Sequence, residues 1–370
     1  MLPINSSIYL VTLESEPQSV VESEVGHGIK LVPLRYFRFG WRAVISWTLT
    51  FPRLWWLVVK HNIRYIHCWC TPAGAIGYWI ALLTGRKLII DSYEPHAESM
   101  VEAKVWSPGS LAFRLLFELE KRQTRRALHL ISATAGMIQY CKEKYRVQPK
   151  SFLVRPACVD TDRFFPRAKE IALVPALAQP GKIVCVYAGK FGGIYQDVEV
   201  FHFFRVAVDY WGDRFRVLIL STHNSSEVRA WCNEVGIDTN IVHLQAVVPE
   251  EMPRWLSLAD FALTPVKPIP TKRYCTPIKD GEYWAMGLPV VIPDQISDDS
   301  EIIFKNRAGY VLKSLTQAEY LAAVEQIDCL LRLPRADRQQ KIRQLAFTYR
   351  SYEIARGVYH AVYGKALTVT

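Results

Sequence analysis

Short runs rich in Val, Ile and Leu, without polar alternation, recur along the 370 residues at 8–13, 65–70, 87–91, 128–132 and 152–154. In the second half they recur at 183–188, 216–220, 241–244, 261–264, 289–292 and 310–312. Runs of this kind predict strands buried on both faces, as in a parallel sheet. Between them, 111–127, 226–234 and 316–331 space their apolar residues three and four apart, the period of a helix packed on one side. Strand alternating with helix, twice over, predicts an α/β protein of two Rossmann-like, doubly wound domains facing across a cleft.

The segment 166–182, with three prolines and a glycine, reads as the linker. The domains are then 1–165 and 180–346, with a last helix at about 347–370 packing back on the first. Ligands of such folds sit at the carboxyl ends of the strands, so the residues just after each run are the ones to inspect.

Composition is globular, half of the residues being hydrophobic, and argues against disorder. The net charge of +10 favours acidic partners such as nucleotide diphosphates, but the cations are dispersed, which argues against a nucleic-acid stripe. Eight cysteines form no C-x-x-C pair, which suits buried thiols in a reducing cytosol. No apolar run reaches the ~18 residues of a membrane span, and the start of the chain lacks the charge pattern of a signal peptide. Trp41, Trp47, Phe51, Trp55 and Trp56 cluster with Arg35, Arg38, Arg42, Arg53 and Lys60. They suit a peripheral membrane contact at the inner face, and equally the core aromatics of a helix.

After the run at 183–188 comes Gly189-Lys190-Phe191-Gly192-Gly193. Glycines here let the backbone approach a ligand, Lys190 adds positive charge, and a following helix would present free N–H groups to an anion. By itself the pattern is equally a tight turn with a solvated lysine. The segment 276–291, TPIKDGEYWAMGLPVV, reads as a helix starting at Thr276-Pro277, ending at Gly287 and followed by a buried strand. Lys279 and Glu282 fall on one face near its start, placed to meet phosphate and a ribose diol, or simply each other as a surface ion pair.

This segment, P-x-K-x-x-E-Y-x-A-x-G-x-P-V-V, resembles the donor-binding helix of retaining, family-4-type glycosyltransferases of the GT-B fold. Val154-Arg155-Pro156-Ala157-Cys158-Val159-Asp160 with Phe164 and Pro166 resembles the interdomain signature of that family, and Ala259-Asp260 its strand before the donor helix. The resemblance implies transfer of a sugar from a nucleoside diphosphate sugar, a co-substrate, to a glycan or lipid-linked acceptor in the cytoplasm, with no further cofactor. By it, Glu282 would hold the ribose, and Lys190 with the Gly192 and Gly193 amides the diphosphate, with Gly189, Thr276 and Lys279 assisting. His96, just after the run at 87–91, would face the sugar, flanked by Glu94 and Glu98. His96, Lys190 and Glu282 are thus the expected catalytic groups.

Three positions depart from the family pattern: Gln196 stands at its second cation, Tyr274 at a frequent Glu, and an acidic loop, 14–19, at its Gly-Gly loop. They keep two alternatives open, a non-catalytic GT-B-like protein that binds a nucleotide or serves as a scaffold, and a nucleotide-sugar epimerase. No metal is expected, because Asp160-Thr161-Asp162 lies within the interdomain signature and reads as a turn.

Overall fold

The computed structural model describes residues 7–14, 28–35, 37 and 41–364. The amino-terminal half runs β1 (Ile8–Glu14), β2 (Ile29–Arg35), α1 (Trp41–Lys60), β3 (Tyr65–Trp69), α2 (Thr71–Thr84), β4 (Lys87–Tyr93), α3 (His96–Glu102), α4 (Leu111–Arg126), β5 (His129–Ser132), α5 (Met137–Tyr140) and β6 (Phe152–Val154). A short α6 (Pro175–Ala178) interrupts the connection to the second half. There follow β7 (Ile183–Ala188), α7 (Val198–Trp211), β8 (Phe215–Leu220), α8 (Ser225–Glu234), β9 (Val242–Gln245), α9 (Met252–Leu256), β10 (Phe261–Leu263), α10 (Ile278–Ala285), β11 (Val290–Pro293), α11 (Asp299–Asn306), β12 (Gly309–Leu312), α12 (Gln317–Leu331), α13 (Arg335–Arg350) and α14 (Tyr352–Tyr363).

The second sheet has the parallel order β12-β11-β10-β7-β8-β9. Its order reverses between β7 and β10, and ligands of doubly wound sheets bind outside that switch point. Alternate residues face opposite helix layers. Val184, Val186 and Ala188 pack toward Tyr283, Trp284 and Ile342, whereas Ile183, Cys185 and Tyr187 pack toward Phe201, Phe204 and Tyr320.

The first sheet pairs β3-β4-β5-β6 in parallel, beside the parallel pair β1-β2. Because successive strands are neighbours, right-handed crossovers put α2, α4 and α5 on one face. Leu88, Ile90 and Leu130 meet Ala81, Phe117 and Met137 there. The opposite face, Ile89 and Ile131, is covered by Val358, Val362 and Tyr363 of α14. β2 has no counterpart among the apolar runs, whereas α1 is the helix that the aromatic cluster at 41–56 allows. They join the core through Leu34, Leu54, Val58 and Ile80. The acidic loop at 15–19 and the side chains of Trp41 and Arg42, like Arg38, lie outside the described residues.

Candidate functional site

The glycine turn follows β7 at the switch point. Gly192 and Gly193 have φ of 76° and 62°, left-handed values that side chains with a Cβ rarely adopt. Their amides donate to no acceptor among the described residues, and the exposed Lys190 ammonium has no ion pair there. The turn is held from outside. Gly189 N–H donates to the Leu220 carbonyl (3.1 Å), Tyr187 Oη to the Lys190 carbonyl, and Ala188 N–H to Tyr283 Oη (2.9 Å).

One expectation fails here. The next helix, α7, does not offer its N-terminus to an anion. Asp197 caps Val198 N–H (2.9 Å) and Glu199 accepts from Asp197 N–H (3.2 Å), so its own carboxylates occupy that end. The open helix start is that of α10 instead. Pro277 is its N-cap and makes no side-chain cap, leaving the first amides and the positive dipole end free. Thr276, expected at the helix start, donates its hydroxyl to the Ala133 carbonyl of the other domain (3.0 Å).

On α10, Glu282 lies 3.4 Å from Lys279 and its side chain is only 13 % exposed. Burial raises its carboxyl above the ordinary value, while Lys279 and Arg163 pull the other way. Lys279 is therefore engaged with Glu282 rather than reaching out alone. Gly287, at φ 73°, ends the helix, its amide and that of Leu288 returning to the Trp284 and Tyr283 carbonyls (both 2.9 Å). Gln196 is buried and donates to the Val266 carbonyl (3.3 Å), so its position supplies no cation to a ligand.

Across the cleft, β4 runs beyond 91 to Tyr93, with an irregular register against β5 and Ser92 at φ 50°. The buried Asp91 anchors this bend. It accepts from Ser92 N–H (2.6 Å), Arg155 Nη2 (3.0 Å) and Tyr359 Oη (2.6 Å). Burial would raise the Asp91 carboxyl, but His67, Tyr359 and Arg155 outweigh it and hold it below its usual range. Glu94 and His96 follow, their carboxylate oxygen and Nδ1 3.8 Å apart and each side chain about a third exposed. Glu98, expected beside His96, turns away to Lys144 (3.2 Å). The carboxylate behind His96 is instead the buried Glu120, which accepts from Ala97 N–H (3.0 Å) and Tyr145 Oη (2.9 Å). Burial pushes Glu120 up to about 7.

The loop from β10 to α10 meets this wall directly. Cys275 Sγ donates to Glu94 (3.0 Å), the buried Lys272 lies 3.8 Å from the same sulfur, and Thr271 donates to Glu102 through its amide (3.2 Å) and hydroxyl. Tyr274 packs edge-on against Tyr140 of the first domain, ring centroids 5.0 Å apart. Its ring is thus an interdomain contact, and the adjoining Cys275 is the residue that meets Glu94. Burial would raise Glu94, but His96, Cys275 and the charge of Lys272 prevail and lower it.

Behind α10, Asp280 bonds Thr264 and faces Asp299, which pairs with the buried Arg350. Burial and the Asp299 charge raise the Asp280 carboxyl well above its usual range. A cavity of about 190 Å³ lined by Ala133, Pro156, Asp298, Asp299 and Arg350 lies at this hinge, apart from the glycine turn. Asp160 accepts from the amides of Asp162 (3.0 Å) and Arg163 (3.1 Å), which makes the Asp-x-Asp a turn cap. Among the described residues no group of His, Cys, Asp and Glu is arranged to hold a metal.

Sequence reasoning missed Tyr283, Cys275, Lys272 and Glu120. Tyr283 alone had a signal, following Glu282 within the motif; the others meet only through the fold.

Comparison with solved structures places this architecture. Sucrose-phosphate synthase from Thermosynechococcus elongatus superposes with a TM-score of 0.75 at 13% identity, over 98% of this chain and 89% of that one. The fold is GT-B. A glycosyltransferase from Rickettsia africae shares it (TM-score 0.71, 12% identity, 98% of this chain and 91% of that one). So does HepE from Anabaena in complex with UDP (0.72, 10%, 97% and 100%). Residues 183–328, most of the second GT-B domain, match the family model of the glycosyl transferases group 1. No curated protein matches the sequence. The family match and the GT-B fold together support sugar transfer. Among the described residues no helix is long and apolar enough to cross a membrane.

Proposed function

We propose that the chain transfers a sugar from a nucleoside diphosphate sugar to the hydroxyl of a glycan or lipid-linked acceptor, with retention, in polysaccharide, glycolipid or cell-surface glycan synthesis. The observation that carries this reading is one wall of the cleft. There Lys190 and the Gly192 and Gly193 amides, without partners among the described residues, and the open start of α10 are tied together by Tyr283, next to Glu282. Such a wall suits a diphosphate with its ribose beyond it. HepE, whose structures hold UDP and UDP-glucose, lends support to the donor class.

In the proposed reaction the bond from the sugar's anomeric carbon to the diphosphate oxygen breaks, leaving oxocarbenium-like charge on the sugar. The acceptor oxygen bonds the same face of that carbon, and its proton passes to the departing phosphate. Lys190 and the amides neutralise the growing negative charge, Glu282 holds the ribose, and His96 and Glu94 face the sugar. Glu94 supplies the carboxylate that Tyr274 cannot.

The reading is tested by thermal shift with UDP, GDP, ADP and TDP and their sugars. One of them at about 100 times its Kd should add roughly 2.7 kcal/mol and several degrees of Tm. No shift with any would favour the scaffold, and conversion of a nucleotide sugar without acceptor would favour the epimerase. Glu94→Gln should lower kcat by about 10–100-fold, the loss of one charge-assisted hydrogen bond, with nucleoside diphosphate affinity unchanged. The acid limb that Glu94 sets in the wild-type rate profile should lie below its ordinary value of 4.5. Equal loss of nucleotide affinity in this variant would place Glu94 elsewhere.

A further inference from the structure

The loop between β10 and α10 carries two side chains that the proposed transfer leaves unused, Lys272 and Cys275. Both stand on a braced segment. In the single helical turn Pro270–Tyr274, Lys272 N–H donates to the Ile269 carbonyl (2.9 Å), and the Lys272 carbonyl accepts from Ser297 N–H (3.0 Å). Thr271, beside them, is tied to Glu102 of the first domain (3.2 Å).

Lys272 is only 5% exposed, yet its ammonium has no ion pair among the described residues. Its side-chain contact is Cys275 Sγ, at 3.8 Å. A buried cation is costly unless an anion answers it. Cys275 is no such anion. Burial pushes its thiol up to about 12, so at neutral pH it keeps its proton and donates to Glu94 Oε2 (3.0 Å). Ammonium, thiol and carboxylate thus form one chain of donors running from the second domain into the first, each bond polarising the next. The anion that answers Lys272 is Glu94, one thiol away.

Within its own domain Glu94 faces His96 (3.8 Å), which is charged only when protonated. It also lies by the Cys70 thiol at the end of β3, which burial first and then the Glu94 charge raise. The fixed charge comes from Lys272 and the thiol hydrogen bond from Cys275. Both sit on the domain that carries Lys190 and Glu282.

We infer that Cys275 and Lys272 are positioning residues for Glu94: the domain assigned to the donor supplies the hydrogen bond and the fixed charge that orient the carboxylate across the cleft. The inference rests on the proposed transfer for what Glu94 faces, and not for the contact itself. Infrared difference spectra of wild type against Cys275→Ser isolate the Cys275 S–H stretch from those of the other thiols. The band should lie at low frequency, as for a thiol bonded to a carboxylate, and move up in Glu94→Gln. It should also move up on acidification, as Glu94 takes a proton. In Lys272→Met that step should come at higher pH, because burial then raises the Glu94 carboxyl against less opposition. Lys272→Met should not lower Tm, since an apolar side chain of similar volume replaces a buried cation.

With a nucleotide sugar that is turned over, Cys275→Ala should lower kcat by about 10-fold at unchanged nucleoside diphosphate affinity. Activity that needs the carboxylate is lost as pH falls through its titration, so the acid limb of the rate profile should move to higher pH. Cys275→Ser, which keeps a donor, should restore most of both. A band indifferent to Glu94→Gln, an acid step unmoved by Lys272→Met, or a full rate in Cys275→Ala overturns the inference. A titrating band in a protein that leaves every nucleotide sugar unchanged would instead keep the contact and sink the transfer reading.

Discussion

Lys190→Ala should lower kcat by about 100–1,000-fold, the usual cost of removing one group that stabilises developing negative charge. The side chain is exposed and makes no ion pair among the described residues, so Tm should not move. Glu282→Ala should act differently. Its carboxylate is expected to hold the ribose in the free nucleotide as well as in the reacting donor, so UDP-type affinity falls by about 10–100-fold. Calorimetric titration with the nucleoside diphosphate, beside initial rates, separates the two effects. Unchanged transfer rates in both variants would show that the donor site has been misassigned.

The second large effect is on stability. Arg350→Met leaves the buried Asp299 without its guanidinium, and breaking one partner of a buried pair costs about 3–5 kcal/mol. That corresponds to roughly 6–20 °C in Tm for a domain of this size. Asp280→Asn should be nearly silent, because burial and the Asp299 charge favour the neutral form of Asp280, which an amide mimics in size and charge. Urea unfolding at neutral pH measures both. If Asp280→Asn is as damaging as Arg350→Met, Asp280 carries charge and the proton has been assigned to the wrong place. The network matters to function because Arg350 leads into α14, and the Val159 amide donates to the Arg350 carbonyl (2.7 Å) where the chain crosses between domains.

Glu94 shows why part of the site escaped local reading. In the sequence it is one acid near a histidine, equal to Glu98. In the structure the positive-φ residue Ser92 and the turn into α3 bring Glu94 to Cys275, 181 positions away, and send Glu98 to Lys144. Gln196 and Tyr274 likewise break the family pattern on paper, and only packing shows that the first is buried on a carbonyl and the second seated on Tyr140.

What the sequence determined by itself was the two-domain parallel α/β architecture, the glycine turn after β7, and the helix that carries Glu282. All three rest on local physics: doubly buried strands need unbroken apolar runs, tight turns need glycine, and a helix end shows its Gly287. Tertiary structure alone decided which helix start is open to an anion and which carboxylates stand by His96. Those depend on what each side chain meets from distant parts of the chain, and periodicity carries no record of a partner.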